Sequence, residues 1–292
     1  MSRPVAIFTV LLAFFSSGCG RSPGRIVIGS KNFTEQIILG ELLAQHLEAR
    51  THLKVERRFS LGGTYICQDA IRAGEIDLYV EYTGTALAAI LKEKPSSDPA
   101  DVYRRVKAAY AKRFNLAVLK PLGFDNSFAM VIRGADAGRL HLKTISDIAP
   151  YAPHWRAAFG YEFMERPDGF KGLAKTYQLK FAGEPKIMEL GLLYRALLEK
   201  QADIVAGSAT DGAIAANDFV VLKDDKHYFP PYDAVPVVRE QTLNKYPAVR
   251  SALDELAGEI SEDDMRRMNY EVDGEHRDAK QVVAEFLRKK RL

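Results

Sequence analysis

The sequence predicts an α/β fold with two lobes, and three observations support this prediction. Short apolar strands alternate with amphipathic helices along most of the 292 residues. This alternation is typical of mostly parallel sheets covered by helices. Two loop segments, at 122–127 and 226–234, interrupt it. If the chain crosses between lobes at both segments, its first and last parts share one lobe and its middle forms the other, with a cleft between them.

The first part of the chain is predicted to contain three strands, each followed by a helix. Asn32 could cap the first helix, with Glu35 completing a capping box three residues later. Gly74 ends the second helix, and Asp98 and Pro99 begin the last one. The predicted segments are strands at 25–29 and 54–59, helices at 32–50, 62–74 and 96–114, and a third strand and helix within 76–91.

The middle part continues the alternation, and the last part is mainly helical. We expect one lobe to comprise residues 25–125 and 229–292, and the other to comprise residues 126–228. After residue 238 the pattern is helical to the end of the chain. The predicted middle segments are strands at 126–133, 156–160, 202–207 and 219–225, and helices at 143–152, 168–179 and 186–201.

The first 18 residues have the features of a secretory signal peptide. Arg3 precedes an apolar run from Val5 to Phe15, which is too short to span a bilayer as a helix. The small residues after it lead to Cys19, and "SSGC" resembles a bacterial lipobox, although Ser16 stands where an aliphatic residue is usual. A plain signal peptide or a buried strand are the alternatives. We therefore expect lipidation at Cys19 and a short lipidated tether at 19–24.

The composition and the motifs argue against several functional classes. The 41 Lys and Arg residues exceed the 38 Asp and Glu residues by only three, so no basic surface for nucleic acid is indicated. The six histidines show no metal-ligand spacing, and no nucleophile–base motif is present. With Cys19 lipidated, Cys67 would have no intrachain disulfide partner. We expect no metal, no cofactor and no enzymatic activity.

One strand end carries polar and aromatic residues suited to a ligand. The strand in "IDLYVEYTGTALAAIL" ends at Tyr82, and Gly84 and Thr85 follow where a helix begins. In an open α/β sheet, ligands bind at such carboxyl ends of strands. We expect Gly84 to let the backbone turn there.

Six motifs in order resemble the osmoprotectant group of substrate-binding proteins from ABC importers, which bind glycine betaine, carnitine or choline. The resemblance runs from about Arg25 to Arg288 and implies a two-lobed periplasmic-binding-protein fold with two interlobe crossovers (type II). It also implies an ABC permease with its ATPase as partner, while the signal peptide and the lipobox predict an extracytoplasmic location and membrane attachment through the lipid anchor. The motifs are "VIGSKNFTEQIILGELLAQHLE", "SLGGT", "GEIDLYVEYTGTAL", "ERPDGF", "PPYDAVPVV" and "MNYEVD".

The resemblance assigns two groups of site residues. Lys31, Thr85 and Arg166 match the donors to a ligand carboxylate. A solvated lysine, a helix cap and a surface ion pair of Arg166 with Glu162, Glu165 or Asp168 are the structural alternatives. Because a quaternary ammonium has no hydrogen to donate, aromatic faces hold it, and Tyr82 and Tyr232 match two such walls, unless they are core aromatics.

Two wall positions depart from the family pattern. Phe128 stands where a tyrosine is usual, and Ser208, followed by Thr210 and Asp211, replaces another tyrosine. The wider pocket could bring Asp211 or a hydroxyl to the ligand. Carnitine, choline derivatives or a histidine betaine then fit better than glycine betaine.

Two other functions use the same scaffold. A ligand-sensing module would bind a similar compound without transport, and an extracytoplasmic enzyme would need a nucleophile or a metal, for which the sequence has no motif. Neighbouring reading frames for a permease and an ATPase would favour import.

Overall fold

Two five-stranded sheets, each covered by helices, organise the computed structural model, which describes residues 24–94 and 96–292. The first sheet has the strand order β2-β1-β3-β10-β4. Its strands are β1 (Arg25–Lys31), β2 (Lys54–Gly62), β3 (Leu78–Tyr82), β4 (Leu116–Val118) and β10 (Ala234–Arg239). The second sheet has the order β7-β6-β8-β5-β9. Its strands are β5 (Phe128–Arg133), β6 (Ala157–Phe159), β7 (Lys186–Ile187), β8 (Ile204–Ser208) and β9 (Phe219–Leu222).

The helices follow the division into two sheets. Those around the first sheet are α1 (Thr34–Arg50), α2 (Thr64–Ala73), α3 (Thr83–Thr85, continued by a π-helical turn at Ala86–Ile90), α4 (Pro99–Phe114), α10 (Glu240–Lys245), α11 (Ala248–Asp254), α12 (Glu262–Asp273) and α13 (Ala279–Lys290). Those around the second sheet are α5 (Gly134–Leu140), α6 (Tyr161–Glu165), α7 (Phe170–Tyr177), α8 (Leu190–Leu198) and α9 (Gly212–Ala216), with 3₁₀ turns at Ser146–Ile148 and Ala152–His154.

Four strands of each sheet run in the same direction, as predicted for mostly parallel sheets, and one strand in each runs against the others. Strand β10 runs antiparallel to β3 and β4, and β5 runs antiparallel to β8 and β9. Each of these strands comes directly after a segment that arrives from the other sheet, and so it enters its own sheet from the opposite end. The two connecting segments, 119–127 and 223–233, meet at a backbone bridge between Asp125 and Asp233.

Alternating side chains of the central strands supply a core on each face of a sheet. In β3, Leu78 and Val80 belong to the apolar cluster that packs α1 and α13 against the first sheet. Tyr79, between them, belongs to the cluster on the opposite face. All five residues of β3 are buried, as expected for a strand with neighbours on both sides. This burial brings the strand's carboxyl end, at Tyr82, into the interior.

Local signals in the sequence were reliable at some helix ends and misleading at others. The Asp98 side chain accepts a hydrogen bond from the Ala100 amide, and Gly74 adopts a left-handed conformation with φ of 79°, so both caps are confirmed. The cap at Asn32 is wrong, because α1 begins at Thr34 after Phe33 and has no side-chain cap. The helix expected at 186–201 is shorter, since β7 precedes α8.

The N-terminal predictions fall outside the described residues. The signal peptide and Cys19 lie in residues 1–23. Within the described ranges, no helix combines the length and the apolarity of a membrane-crossing segment. Cys67 is a buried free thiol, and burial raises its pKa to about 12.

Candidate ligand-binding site

A cavity of about 900 Å³ lies between the two sheets and receives side chains from both. Its lining includes eight of the nine residues predicted for the ligand site. These are Lys31, Tyr82, Thr85, Phe128, Arg166, Ser208, Asp211 and Tyr232. The exception is Thr210, which is fully buried and directs its hydroxyl to Glu35 instead. Residues more than a hundred positions apart therefore meet at one cavity.

Gly84 is required for packing, and the turn proposed for it from the sequence is wrong. It lies in α3 and is not one of the residues with positive φ in the described chain. A Cβ at this position would lie 2.7 Å from the Pro231 carbonyl oxygen and 2.8 Å from Cδ1 of Tyr232. Glycine thus allows Tyr232 to pack directly on the backbone next to Tyr82.

We expect Gly84→Ala to destabilise the protein by about 1–3 kcal/mol, because the backbone oxygen of Pro231 cannot move away as a flexible side chain could. Thermal unfolding measures the effect. Gly138→Ala is the matched control, since Gly138 lies in α5 with nothing within 4 Å of a Cβ and alanine favours a helix. Equal melting temperatures for the two variants would contradict the packing role of Gly84.

Lys31 is buried in an ion pair, so it is not the solvated lysine that the sequence left as an alternative. Its Nζ lies 2.5 Å from Oε1 of Glu81 and donates to Oγ1 of Thr64 at 3.0 Å. The Lys31 and Glu81 side chains are 4% and 0% exposed. Because an ammonium has three N–H groups, one donor of Lys31 is left for a group in the cavity.

Arg166 is held by a carboxylate of its own lobe. Its Nε and Nη2 donate to the two oxygens of Asp168 at 2.9 and 2.5 Å, and the Tyr232 hydroxyl donates to the same carboxylate at 2.7 Å. Both side chains of the ion pair are buried. The surface ion pair considered for Arg166 is therefore a buried one. The Nη1 group is outside this pair and lies 3.9 Å from Glu162 Oε2.

Glu162, at the start of α6, places a carboxylate between the two cations. Its Oε1 accepts from the Thr64 amide at 2.5 Å, and its Oε2 accepts from the Thr64 hydroxyl at 3.0 Å. Thr64 begins α2, so the carboxylate lies at a helix N-terminus, where negative charge is favoured. Lys31, Thr64, Glu162 and Arg166 thus form a connected polar path across the cleft.

Aromatic rings surround the polar path in two groups. Phe33 and Tyr82 are nearly parallel, with centroids 6.5 Å apart. Phe128 contacts Tyr232 edge-on at 5.7 Å. Protein cations already lie near both groups, with Lys31 Nζ 5.1 Å from the centroid of Tyr82 and Arg166 Cζ 4.9 Å from that of Phe128.

Ser208, where the family pattern has a tyrosine, is opposite Phe128 in the β5–β8 register. Tyr194 of α8 reaches the same place, since its hydroxyl and the Ser208 amide both donate to Oδ2 of Asp211, at 2.6 and 2.8 Å. A Cβ on Gly207 would lie only 1.9 Å from the Tyr194 hydroxyl. An aromatic residue from another helix therefore borders the cavity beside the missing wall.

Glu35 is the main site residue that the sequence analysis did not identify. It is buried and accepts four hydrogen bonds, two on each carboxylate oxygen. The donors are Tyr82 at 2.6 Å, Asn126 at 2.7 Å, Thr210 at 2.5 Å and Asn269 at 3.0 Å. Burial raises the pKa of Glu35 to about 7, although hydrogen bonds from Thr210, Tyr82 and Asn269 act in the opposite direction.

These four donors come from β3, a connecting segment, the loop after β8, and α12, so Glu35 links both lobes. Its sequence signal was ambiguous, because a glutamate three residues after Asn32 also matches a capping box. Asn269 falls within the "MNYEVD" motif, which could have drawn attention to it.

Protein stability is expected to decrease as the pH rises from about 5 to about 8 because of Glu35. Its pKa in the folded protein, about 7, lies above the ordinary 4.5, so in this window the folded state holds a proton that the unfolded chain has released. Asp211, whose burial raises its pKa from 3.8 to about 6, acts in the same direction. His46 acts in the opposite direction, since burial lowers its pKa.

Comparing the native protein with Glu35→Gln isolates the carboxyl group from His46 and Asp211. Melting temperatures of both across this pH range should show a steeper decline for the native protein. Parallel profiles would mean that Glu35 does not titrate in this range.

Comparisons with known proteins agree with this geometry. Residues 24–289 match the family described as the substrate binding domain of ABC-type glycine betaine transport systems. A crystal structure of a glycine betaine/carnitine/choline ABC transporter protein superposes with a TM-score of 0.76 at 34% identity, covering 91% of this chain and 98% of the other. The fold and cavity therefore define a two-lobed periplasmic substrate-binding protein, and the predicted fold class is confirmed.

The chain belongs to the substrate-binding family of ABC-type glycine betaine transport systems. The carnitine transport binding protein OpuCC of Listeria monocytogenes is 35% identical over 98% of this chain and 96% of its own length. An ergothioneine transport permease/ergothioneine binding protein of Helicobacter pylori is also 35% identical, over 90% of this chain and 47% of its own length. Such proteins serve ABC importers outside the cytoplasm.

Proposed function

We propose that this protein binds a zwitterionic quaternary-ammonium compound in the interlobe cavity and delivers it to an ABC permease with its ATPase. The observation that carries the proposal is the combination of two buried cations, Lys31 and Arg166, with aromatic rings in one cavity. A betaine requires both features, because its carboxylate needs donors and its ammonium needs π faces.

The carboxylate end is supported by the polar path across the cleft. Glu162 already places a carboxylate on the Thr64 amide and hydroxyl, next to the free Nη1 of Arg166. A ligand carboxylate would take over this position as Glu162 withdraws, and it would also reach the free donor of Lys31. Thr85 borders the same cavity, and its hydroxyl makes no hydrogen bond to the described residues, so it is available as a further donor.

The ammonium end is assigned to the rings of Tyr82, Phe128 and Tyr232. We add Phe33, which the sequence analysis did not consider, since it lines the cavity nearly parallel to Tyr82. A ligand that contacts Lys31 in one lobe and Arg166 in the other binds the closed state more tightly than the open state. This difference in affinity shifts the equilibrium towards the closed state.

The cavity volume favours a ligand larger than glycine betaine. About 900 Å³ lies at the upper end of what drug-sized ligands occupy in proteins. Large apolar side chains, including Tyr65, Ile66, Leu190 and Leu192, extend the cavity towards its exposed mouth. Carnitine, choline derivatives and a histidine betaine are therefore the ligands to test first.

Isothermal titration calorimetry with glycine betaine, carnitine, choline and histidine betaine tests this function. We expect heat from at least one of them, and mass spectrometry of copurifying compounds identifies the ligand retained from the cell. No heat from any quaternary amine at millimolar concentration would overturn the assignment. Lipidation of Cys19 completes the proposal, and mass spectrometry of the membrane-extracted protein tests it.

A further inference from the structure

The carboxylate of Glu162 occupies a place in the cavity that has room and donors for one anionic group. It reaches from α6, beside the second sheet, to the start of α2, beside the first sheet, where Thr64 donates its amide and its hydroxyl. Gly63 has an ordinary φ of −81°, but a Cβ there would lie only 2.1 Å from Oε1 of Glu162. Glycine at position 63 therefore leaves space for a carboxylate to approach the Thr64 amide.

The charges around this place favour one carboxylate and disfavour a second. Lys31 is paired with Glu81, and Arg166 is paired with Asp168. Both pairs are neutral, so Glu162 makes the polar path across the cleft negative. A ligand carboxylate next to Glu162 would add a second unbalanced negative charge, and like charges that share a partly buried site repel each other.

Glu162 is able to leave this place, unlike the carboxylates of the two ion pairs. Its side chain is 30% exposed, whereas those of Glu81 and Asp168 are 0% and 1% exposed. Arg166 Nη1 approaches it only to 3.9 Å, so this contact holds it weakly. A ligand carboxylate would form the same two hydrogen bonds to Thr64 that Glu162 now forms. Replacement of Glu162 by such a ligand therefore leaves no donor of Thr64 unpaired.

We infer that Glu162 allows the cavity to accept ligands of two different charges. With a zwitterion, Glu162 withdraws and the ligand carboxylate takes over its hydrogen bonds. With a cation that carries a neutral O–H or N–H group in place of the carboxylate, Glu162 stays, accepts a hydrogen bond from that group and balances the ammonium charge. The inference rests on the proposed function and extends it from zwitterions to quaternary-ammonium alcohols and amides.

Carnitine and carnitinamide form a matched pair of ligands for the test. They share the trimethylammonium group and nearly the same shape, but the carboxylate of carnitine is a neutral amide with two N–H donors in carnitinamide. We expect calorimetry to show that the native protein binds both. If it binds only one of them, or binds another quaternary amine but neither of these, the inference is overturned and the proposed function stands. If it binds no quaternary amine, both are overturned.

Glu162→Gln removes the charge and keeps the size of the side chain. We expect carnitinamide to bind at least about tenfold more weakly, because its amide loses a charged acceptor. Carnitine should bind about twofold or more tightly, because no charge has to be displaced. An unchanged ratio of the two dissociation constants would overturn the inference. Glu165→Gln is the matched control, since it makes the same change at an exposed glutamate of the same helix and should keep the ratio.

Crystal structures of the native protein with each ligand give a second readout. We expect the Glu162 carboxylate to remain on Thr64 in the carnitinamide complex and to have left it in the carnitine complex. Glu162 on Thr64 in both complexes would contradict the displacement, and Glu162 away from Thr64 in both would contradict its role as a counter-charge for cations.

Discussion

Arg166→Ala is expected to weaken the binding of a carboxylate-bearing ligand at least tenfold, which corresponds to about 1.4 kcal/mol or more. Arg166 is the one cation from the second lobe in the proposed carboxylate site, and its guanidinium is held by Asp168 through two hydrogen bonds. That support fixes the orientation of the free Nη1 group before the ligand arrives, so little side-chain entropy is lost on binding. Calorimetry with the copurified ligand measures the loss.

The single substitution also affects folding, and the experiment must separate the two effects. Removing Arg166 leaves Asp168 buried without its counter-charge, and breaking a buried ion pair in this way costs about 3–5 kcal/mol. The double variant Arg166→Met/Asp168→Asn removes both charges together and should recover stability without recovering affinity. Full affinity in a stable double variant would remove Arg166 from the site.

Tyr82→Leu is expected to reduce affinity for quaternary-ammonium ligands by about tenfold, since one cation–π contact contributes about 0.5–2 kcal/mol and more when it is dry. Tyr82 is 4% exposed, and its ring lies beside Phe33 in the cavity. Leucine keeps an apolar side chain there but has no π face. Calorimetry compares the native protein and the variant with ligands that differ only in the number of methyl groups on the ammonium. The comparison measures how much of the lost affinity depends on that group.

Tyr82→Phe is the control for this prediction. It keeps the ring and removes the hydroxyl that donates to Glu35, so it should retain most of the affinity for the ammonium while losing some thermal stability. If phenylalanine and leucine reduce affinity equally, Tyr82 acts through its hydrogen bond to Glu35 and does not form a cation wall.

The local elements of the fold could be predicted because they depend on local signals. The alternation in β3, the cap at Asp98 and the left-handed Gly74 each follow from a few neighbouring residues. Strand β10 had no such signal. It contains Pro236, which lacks an amide donor, yet it lies inside the first sheet, paired on both sides with β3 and β4. The lining of the cavity was predictable wherever a motif marked it, as at Lys31, Tyr82 and Arg166.

Partnerships across the fold could not be predicted in the same way. The sequence shows Glu35 as an ordinary residue of the first helical turn, because its four donors come from positions up to 234 residues away. Tyr194 belongs to an amphipathic helix, and only the packing of α8 against β8 brings its hydroxyl to Asp211.

By itself, the sequence determined the α/β class, the two lobes, the family and eight of the residues that line the cavity, because each of these is encoded in local patterns or in motifs of fixed order. The tertiary structure alone decided the partners of the charged groups. It paired Lys31 with Glu81 and Arg166 with Asp168. It also placed the carboxylate of Glu162 on the polar path that joins the two cations. It also showed that Gly84 is small because Tyr232 packs against it, and that four hydrogen-bond donors from remote segments converge on Glu35. Most of these partnerships join segments that are remote in sequence. The energy of a buried charged or polar group depends on the distance to its partner, and only the tertiary structure sets that distance.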